Sequence, residues 1–374
     1  MSARFLTVVL ERAFNMRDGF GREIDYMRIS VIDSCNLNCY YCNPCDNNEH
    51  CHALNILSVK EVLCIVRAAT RLGIKHFRLT GGEPLLHPQL DEMVLQIKKI
   101  PGVSSVSLTT NAVLLAQHAK WLKEAGIDSI NVSLDTIDAS EYERITKKPL
   151  LEEVKHGINA AIECGIRVKI NVVLTPQTDV VALTRYVAKK GTDIRFIEMM
   201  PVGEGHTNGV EPYKKVIGTL SKLYGEPCRI NTEKTKEINS GYNKYKEERK
   251  NPDNGPAEYY SFHGLDIRVG LIQAIHGKFC DTCNRIRVTA DGRLMPCLGS
   301  SVTMDLVPDS WDFADDVEKD FAIVRALRAA IKAKPRCHNF NDNAVTYTKT
   351  TETKTTEIEA AEVNAARNMS RIGG

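Results

Sequence analysis

Two sets of three cysteines are the residues of this chain best suited to chemistry: Cys35-x3-Cys39-x2-Cys42 and Cys280-x2-Cys283-x13-Cys297. Thiolates are soft ligands that select zinc, copper(I) or iron–sulfur clusters. Three ligands on a four-iron cubane leave one iron without a protein ligand, open to a small molecule. Zinc is the competing reading at both places. Cys45, His50, Cys51 or His52 could complete a knuckle with the first set, and His263 or His276 with the second. The run Asn284-Arg285-Ile286-Arg287-Val288-Thr289 stands inside the second set. Strand alternation puts Arg285 and Arg287 on one face. Two guanidiniums side by side repel unless an anion lies between them, and phosphate suits them best.

These residues must be held by regular elements. From about residue 26 to 200, β-rich runs alternate with helix-like spacing. The expected strands are Met27–Asp33, Phe77–Thr80, Val103–Thr109, Ile130–Ser133, Val168–Leu174 and Ile194–Ile197. The expected helices between them are Val59–Leu72, Leu90–Ile100, Ala116–Ala125, Leu151–Cys164 and Leu183–Lys190, four of them followed by a glycine at 73, 126, 165 or 191. Six βα units in series imply a parallel sheet, open or curved into a partial barrel, with chemistry at the C-terminal ends of its strands. The unusual residues fall there: the first cysteine set after strand one, Gly81-Gly82-Glu83-Pro84 after strand two, Thr109-Thr110-Asn111 at strand three, Ser133-Leu134-Asp135 at strand four, and Glu198-Met199-Met200-Pro201 after strand six. Arg28, Arg78, Lys169 and Arg195 lie on different strands yet can face one cavity, and converging cations call for an anion.

The expected organisation is a barrel over residues 1–212, a second-cluster and substrate domain over 213–335, and a polar tail over 336–374 ending in Gly373-Gly374. In the second domain a helical stretch, Tyr213–Tyr224, precedes a charged loop, Asn231–Pro256. Short β runs follow at Ile267–Ile275 and Arg287–Leu294, then a helix, Val317–Lys334. With 374 residues, 43% hydrophobic and 26% charged, the chain has material for a large core. A net charge of +2 gives no general pull towards nucleic acid or membrane surfaces. Met1–Phe14 lacks the pattern of a signal peptide, and no apolar run approaches the ~18 residues of a membrane helix. Twelve cysteines without a secretory signal favour metal ligation over disulfides, and a cytoplasmic location is expected. Cys64 and Cys164 sit in apolar helical patterns as structural thiols, and Cys228 and Cys337 stand alone.

The first triad at the end of strand one, with Gly-Gly-Glu-Pro ending strand two, resembles the radical S-adenosylmethionine (SAM) superfamily. The run from Cys280 through Asn284-Arg285-Ile286-Arg287-Val288-Thr289-Ala290-Asp291-Gly292-Arg293-Leu294 to Cys297-Leu298, with the terminal Met369-Ser370-x-Ile372-Gly373-Gly374, narrows the resemblance to the GTP 3′,8-cyclases, the molybdenum cofactor biosynthesis protein A family. It covers about residues 21 to 374. It implies an α/β fold, a partial (β/α)6 TIM-like barrel with a small C-terminal α+β domain carrying a second iron–sulfur cluster. It also implies two 4Fe-4S clusters, the first cleaving SAM to a 5′-deoxyadenosyl radical that takes the ribose 3′ hydrogen of GTP. By resemblance, Cys35, Cys39 and Cys42 hold the SAM cluster, and Cys280, Cys283 and Cys297 the substrate cluster. Tyr41, Gly82, Ser133 and Met200 line the SAM site. Arg28, Arg78, Thr109, Lys169, Arg285 and Arg287 contact GTP, with Arg195 supporting the pocket. Arg285, Arg287, Gly373 and Gly374 are the expected catalytic residues. Expected partners are an electron donor such as flavodoxin or ferredoxin and a downstream cyclic pyranopterin monophosphate synthase, with a homodimer as one option. Cys45, Cys51 and His87-Pro88, which stands where the family commonly has two arginines, depart from the pattern. They keep open an enzyme acting on another nucleotide or on a peptide, besides the zinc-binding module.

Overall fold

The structure, a computed structural model, describes residues 16–42, 55–202, 209–230, 255–300, 303–306, 316–338 and 340. Its centre is the expected βα series. The strands are β1 (Tyr26–Ser30), β2 (His76–Thr80), β3 (Ser105–Thr110), β4 (Ser129–Ser133), β5 (Val168–Val173) and β6 (Asp193–Ile197). They pair in parallel in chain order. The helices are α1 (Val59–Arg71), α2 (Leu90–Lys98), α3 (Leu115–Glu124), α4 (Ala139–Thr146), α5 (Leu151–Glu163) and α6 (Val180–Lys189). All four glycines expected to end helices have positive φ.

Among the helices of the βα series, side-chain caps account for one early start and for one helix that was not expected. Asp179 accepts from Ala182 N and starts α6 a turn earlier than the apolar spacing suggested. Asp138 likewise caps α4, which is two turns long and too short to show a period in the sequence.

Strand alternation explains the curved sheet. One parity, such as Met27, Ile29, Phe77, Leu79, Ile194 and Phe196, is fully buried and apolar under the helices. The other parity carries Arg28, Arg78, Thr109, Ser133, Asn171 and Arg195 and lines an interior cavity. A polar lumen inside an apolar shell is a barrel interior built to hold something polar.

The C-terminal strands are β7 (Cys228–Ile230), β8 (Glu258–Ser261), β9 (Val269–Ile272), β10 (Arg285–Val288), β11 (Arg293–Met295) and β12 (Met304–Asp305). They make no sheet of their own. β9 pairs in parallel with β6, and β10 in parallel with β1, giving one twelve-stranded sheet in the order β12-β11-β10-β1-β2-β3-β4-β5-β6-β9-β8-β7. The single expected run Arg287–Leu294 is instead the β10–β11 hairpin. A helix α7 (Gly218–Tyr224), entered through a π-helical turn at Tyr213–Ile217, precedes β7. The last helix among the described residues, α8 (Asp316–Lys332), lies against α1, with Arg71 paired to Asp320 at 2.7 Å.

Gly157, inside α5, illustrates how tightly the shell is packed. A methyl group there would stand 2.3 Å from the Ala112 carbonyl oxygen and 3.0 Å from Leu115 Cβ. Alanine would gain about 1 kcal/mol of helix propensity. The overlap with fixed backbone costs about 1–3 kcal/mol. Gly157→Ala is therefore expected to destabilise, by about 1 kcal/mol net, and urea unfolding of the two proteins checks the sign.

Candidate active site

The first triad lies on the loop leaving the C-terminal end of β1, and the chain after β2 holds that loop from below. Gly82 N donates to Ile32 O at 2.8 Å, and Glu83 N to Ser34 O at 2.8 Å. The contact is so close that a Cβ on Gly82 would stand 2.2 Å from Ser34 O. Glu83 is fully buried and accepts from Asn111 N and Thr110 Oγ1, both at 2.7 Å, and from Leu85 N at 3.0 Å. Burial still outweighs those bonds and pushes its carboxyl up to about 7. The same network aims Asn111 at the triad: Nδ2 donates to Asn36 Oδ1 at 2.7 Å and to Cys35 Sγ at 3.8 Å. Ala112, the next residue, is held at φ +66°, a conformation that costs an alanine free energy. Tyr41 donates its hydroxyl to Asp135 Oδ2 at 2.5 Å, and Asp135 Oδ1 accepts from Val173 N at 2.8 Å. The aromatic ring inside the cysteine motif is thereby tied to β5.

Burial pushes the Cys35 thiol up to about 11 and Cys42 up to about 12, and Cys39 rises for the same reason, with neighbouring thiols adding to the rise in Cys39 and Cys42. Three thiolates gathered this way need a positive centre among them, which a cluster supplies.

The second triad lies at the other end of the lumen. Cys283 precedes β10, whose Arg285 pairs with Tyr26 at the start of β1. The two triads are thus separated by about the length of β1, roughly 15 Å at ~3.3 Å per residue. Burial raises the Cys280 thiol. Burial would raise Cys283 too, but Lys334 and Arg285 beside it bring it below the usual thiol range. Among the described residues, no three His, Cys, Asp or Glu side chains close up into a site for a single metal ion. His276, a candidate zinc ligand, is bonded through Nδ1 to Glu198.

Between the triads lies a cavity of ≈ 310 Å³ lined by all six of these cysteines. Arg28, Arg78, Arg195, Arg285 and Arg287 line it as well. Arg287, Arg28 and Arg78 are direct neighbours in the sheet register, a row of three guanidiniums across adjacent strands. Burial, then Arg287 and Arg78, holds Arg28 well below the usual guanidinium range. Burial, then Arg285, brings Arg287 down to about 10. Arg195 Nη2 and Thr109 Oγ1, both on the cavity wall, are buried without a hydrogen-bond partner in the protein. Buried polar atoms are normally satisfied. Such a wall fits a polyanion carrying many acceptors.

Of the residues expected at the site, Tyr41, Gly82, Ser133, Met200 and Thr109 also line the cavity. Lys169 does not: it is 1% exposed behind the wall, and burial followed by Arg195 brings it down to about 5. Gly373 and Gly374, and Cys45, His50, Cys51 and His52, lie outside the described residues. His87 is a structural residue and leaves no charge at the rim. It is buried, with Nε2 2.9 Å from Leu57 O and Nδ1 accepting from Gln89 N at 3.1 Å.

The cavity wall holds further residues beyond those expected to bind SAM or GTP. Glu198 is buried on the cavity wall, accepting from Ile275 N at 2.7 Å. Lys334, His338 and Phe340 also reach the wall. The last two correct the expected boundary at residue 336. His338 Nε2 is 2.7 Å from Ala274 O, its ring stacks on Phe340 at 4.1 Å, and both are buried, so this stretch belongs to the site and not to a polar tail.

Comparison with known proteins agrees with this geometry. Residues 29–182 match the Radical SAM superfamily, and residues 192–340 match Molybdenum Cofactor Synthesis C. The chain is 36% identical over 328 residues to the GTP 3′,8-cyclase of Clostridium perfringens strain SM101, covering 87% of this chain and 95% of that one. It is 36% identical over 327 residues to the GTP 3′,8-cyclase of Listeria monocytogenes, covering 86% and 92%. Among solved structures, Streptococcus suis SuiB bound to S-adenosylmethionine superposes with a TM-score of 0.53 at 14% identity, over 80% of this chain and 68% of that one. That likeness shows the shared fold. With a cysteine triad at each end of an arginine-lined barrel and relatives matched over nearly their whole length, the chain belongs to the GTP 3′,8-cyclase family of radical SAM enzymes.

Proposed function

We propose that this chain is a radical SAM GTP 3′,8-cyclase that converts GTP to 3′,8-cyclo-7,8-dihydro-GTP, the first step of molybdopterin biosynthesis. The observation that carries the reading is the row Arg287–Arg28–Arg78 inside a lumen with one triad at each end. When bound, the first cluster supplies the electron that cleaves SAM, and the second offers an open iron to the substrate. SAM held at the first cluster would supply the 5′-deoxyadenosyl radical that takes the ribose 3′ hydrogen, and closing C3′ onto C8 of guanine would then need one proton and one electron, the latter returned by a cluster or the electron donor.

The protein's part is holding and shielding. Cys35, Cys39 and Cys42 hold the first cluster, and Cys280, Cys283 and Cys297 the second. Tyr41, Gly82, Ser133 and Met200 line the SAM end. The arginines at 28, 78, 195, 285 and 287, with Thr109, bind the triphosphate and orient the ribose. Gly373 and Gly374 act from the C-terminus. An electron donor such as flavodoxin or ferredoxin, a cyclic pyranopterin monophosphate synthase taking the product, a homodimeric state and a cytoplasmic location complete the reading. Among the described residues no helix is long and apolar enough to cross a membrane.

Anaerobic incubation with SAM, a reductant and each nucleoside triphosphate in turn, with products identified by mass spectrometry, tests the reading. Cyclisation of another nucleotide in preference to GTP would overturn it. Arg287→Ala removes a charge-assisted bond worth about 1.5–3 kcal/mol. It is expected to lower kcat/KM for GTP by about 10- to 100-fold while SAM cleavage continues.

A further inference from the structure

Lys334 stands two residues beyond α8 and is 3% exposed. Its Nζ donates to Arg285 O at 2.8 Å and to Pro296 O at 2.9 Å. Arg285 is two residues past Cys283, and Pro296 immediately precedes Cys297. The same cation stands close enough to the Cys283 thiol to help bring it below its usual range. An ammonium has three N–H donors and no more. Two of them are engaged by the backbone of the segments carrying the second triad, which leaves at most one for a substrate anion. Lys334 therefore differs in kind from the five arginines on the same wall.

The segment that carries it is fixed from the other side. Arg22 Nη2 donates to Pro335 O at 2.6 Å, and Nη1 to Arg336 O at 2.9 Å and to Cys280 O at 2.6 Å. Its Nε is paired with Asp18 at 2.5 Å. Two cations from opposite ends of the chain thus tie down all three cysteines, Arg22 at Cys280 and Lys334 at Cys283 and Cys297.

We propose that Lys334 is a positioning residue of the second iron–sulfur cluster, bracing its cysteine loops and setting its reduction potential with a buried positive charge. The proposal rests on the two-cluster reading above. A fixed cation beside a cluster favours the reduced form, which carries one more negative charge, and so raises the potential.

The test is a redox titration of the reconstituted full chain, followed by electron paramagnetic resonance, on Lys334→Gln, Lys334→Met and Lys334→Arg. Added SAM alters the signal of the first cluster, so the other signal reports the second. In Lys334→Gln and Lys334→Met the second cluster is expected to shift to more negative potential while the first stays put. Lys334→Arg is expected to titrate near the wild type. A second cluster that keeps its iron and its wild-type potential in either neutral variant overturns the proposal. If neither neutral variant loads that cluster, iron analysis of Lys334→Arg decides, near-wild-type loading supporting the proposal and failure to load overturning it. A wild-type chain that reconstitutes with far fewer than about eight irons would instead defeat the two-cluster reading itself.

Discussion

Cys280→Ser is expected to leave SAM cleavage running while abolishing the cyclic product. Removing one of three thiolates opens a second iron, and the second cluster is expected to be lost, taking iron from about eight to about four per chain. The radical-generating end should not notice. It lies roughly a strand length away, about 15 Å, and is held by Gly82, Glu83 and Asn111, none of which touches the second triad. The local fold should also survive, because Arg22 grips the Cys280 carbonyl, which serine retains. Without its cluster the far end of the lumen can still attract the triphosphate but no longer fixes the base. 5′-Deoxyadenosine should therefore accumulate with no cyclised nucleotide. Full GTP cyclisation by a variant holding only four irons would remove the second triad from the mechanism.

Gly82→Ala is expected to act at the opposite end and to stop the radical from forming. The added methyl would lie 2.2 Å from Ser34 O and 2.5 Å from Asp33 O. Both are backbone atoms, so no side chain can rotate aside, and the loop carrying Cys35 must move by about 1 Å. A misplacement of that size costs on the order of 100-fold in rate. SAM cleavage should fall by at least that factor, with the second cluster's iron retained. Gly218→Ala is the matched control: it has nothing within 4 Å of the added methyl and should be silent. Wild-type 5′-deoxyadenosine formation in Gly82→Ala would show that the loop tolerates displacement.

Much of the barrel and of the site was legible because both are written at short range. The triads, the Arg285–Arg287 pair and the glycine turn announce themselves through spacing within one loop or strand. Strand parity then places Arg28, Arg78 and Arg195 on a common wall. What escaped depends on contacts across the chain. No local pattern singles out Lys334 or Arg22, and only the packing of α8 and the N-terminal segment turns them onto the second triad. Glu198 and Asp135 looked like rim residues, yet each is an acceptor that ties one loop to another. Lys169 has the parity of a wall residue, but what covers a lysine is a tertiary fact that parity does not carry. The same is true of β9 and β10, whose place on either side of the six βα strands no local pattern records.

That placement also sets an order in time. β1 finds its outer partner β10 only after some 255 further residues have been made, and β6 must wait for β9. A nascent chain ending at residue 265 has all six βα units but two open parallel edges, the kind of surface on which chains pair wrongly. The half that makes radicals is thus synthesised first, and the half that gives them a target closes around it last.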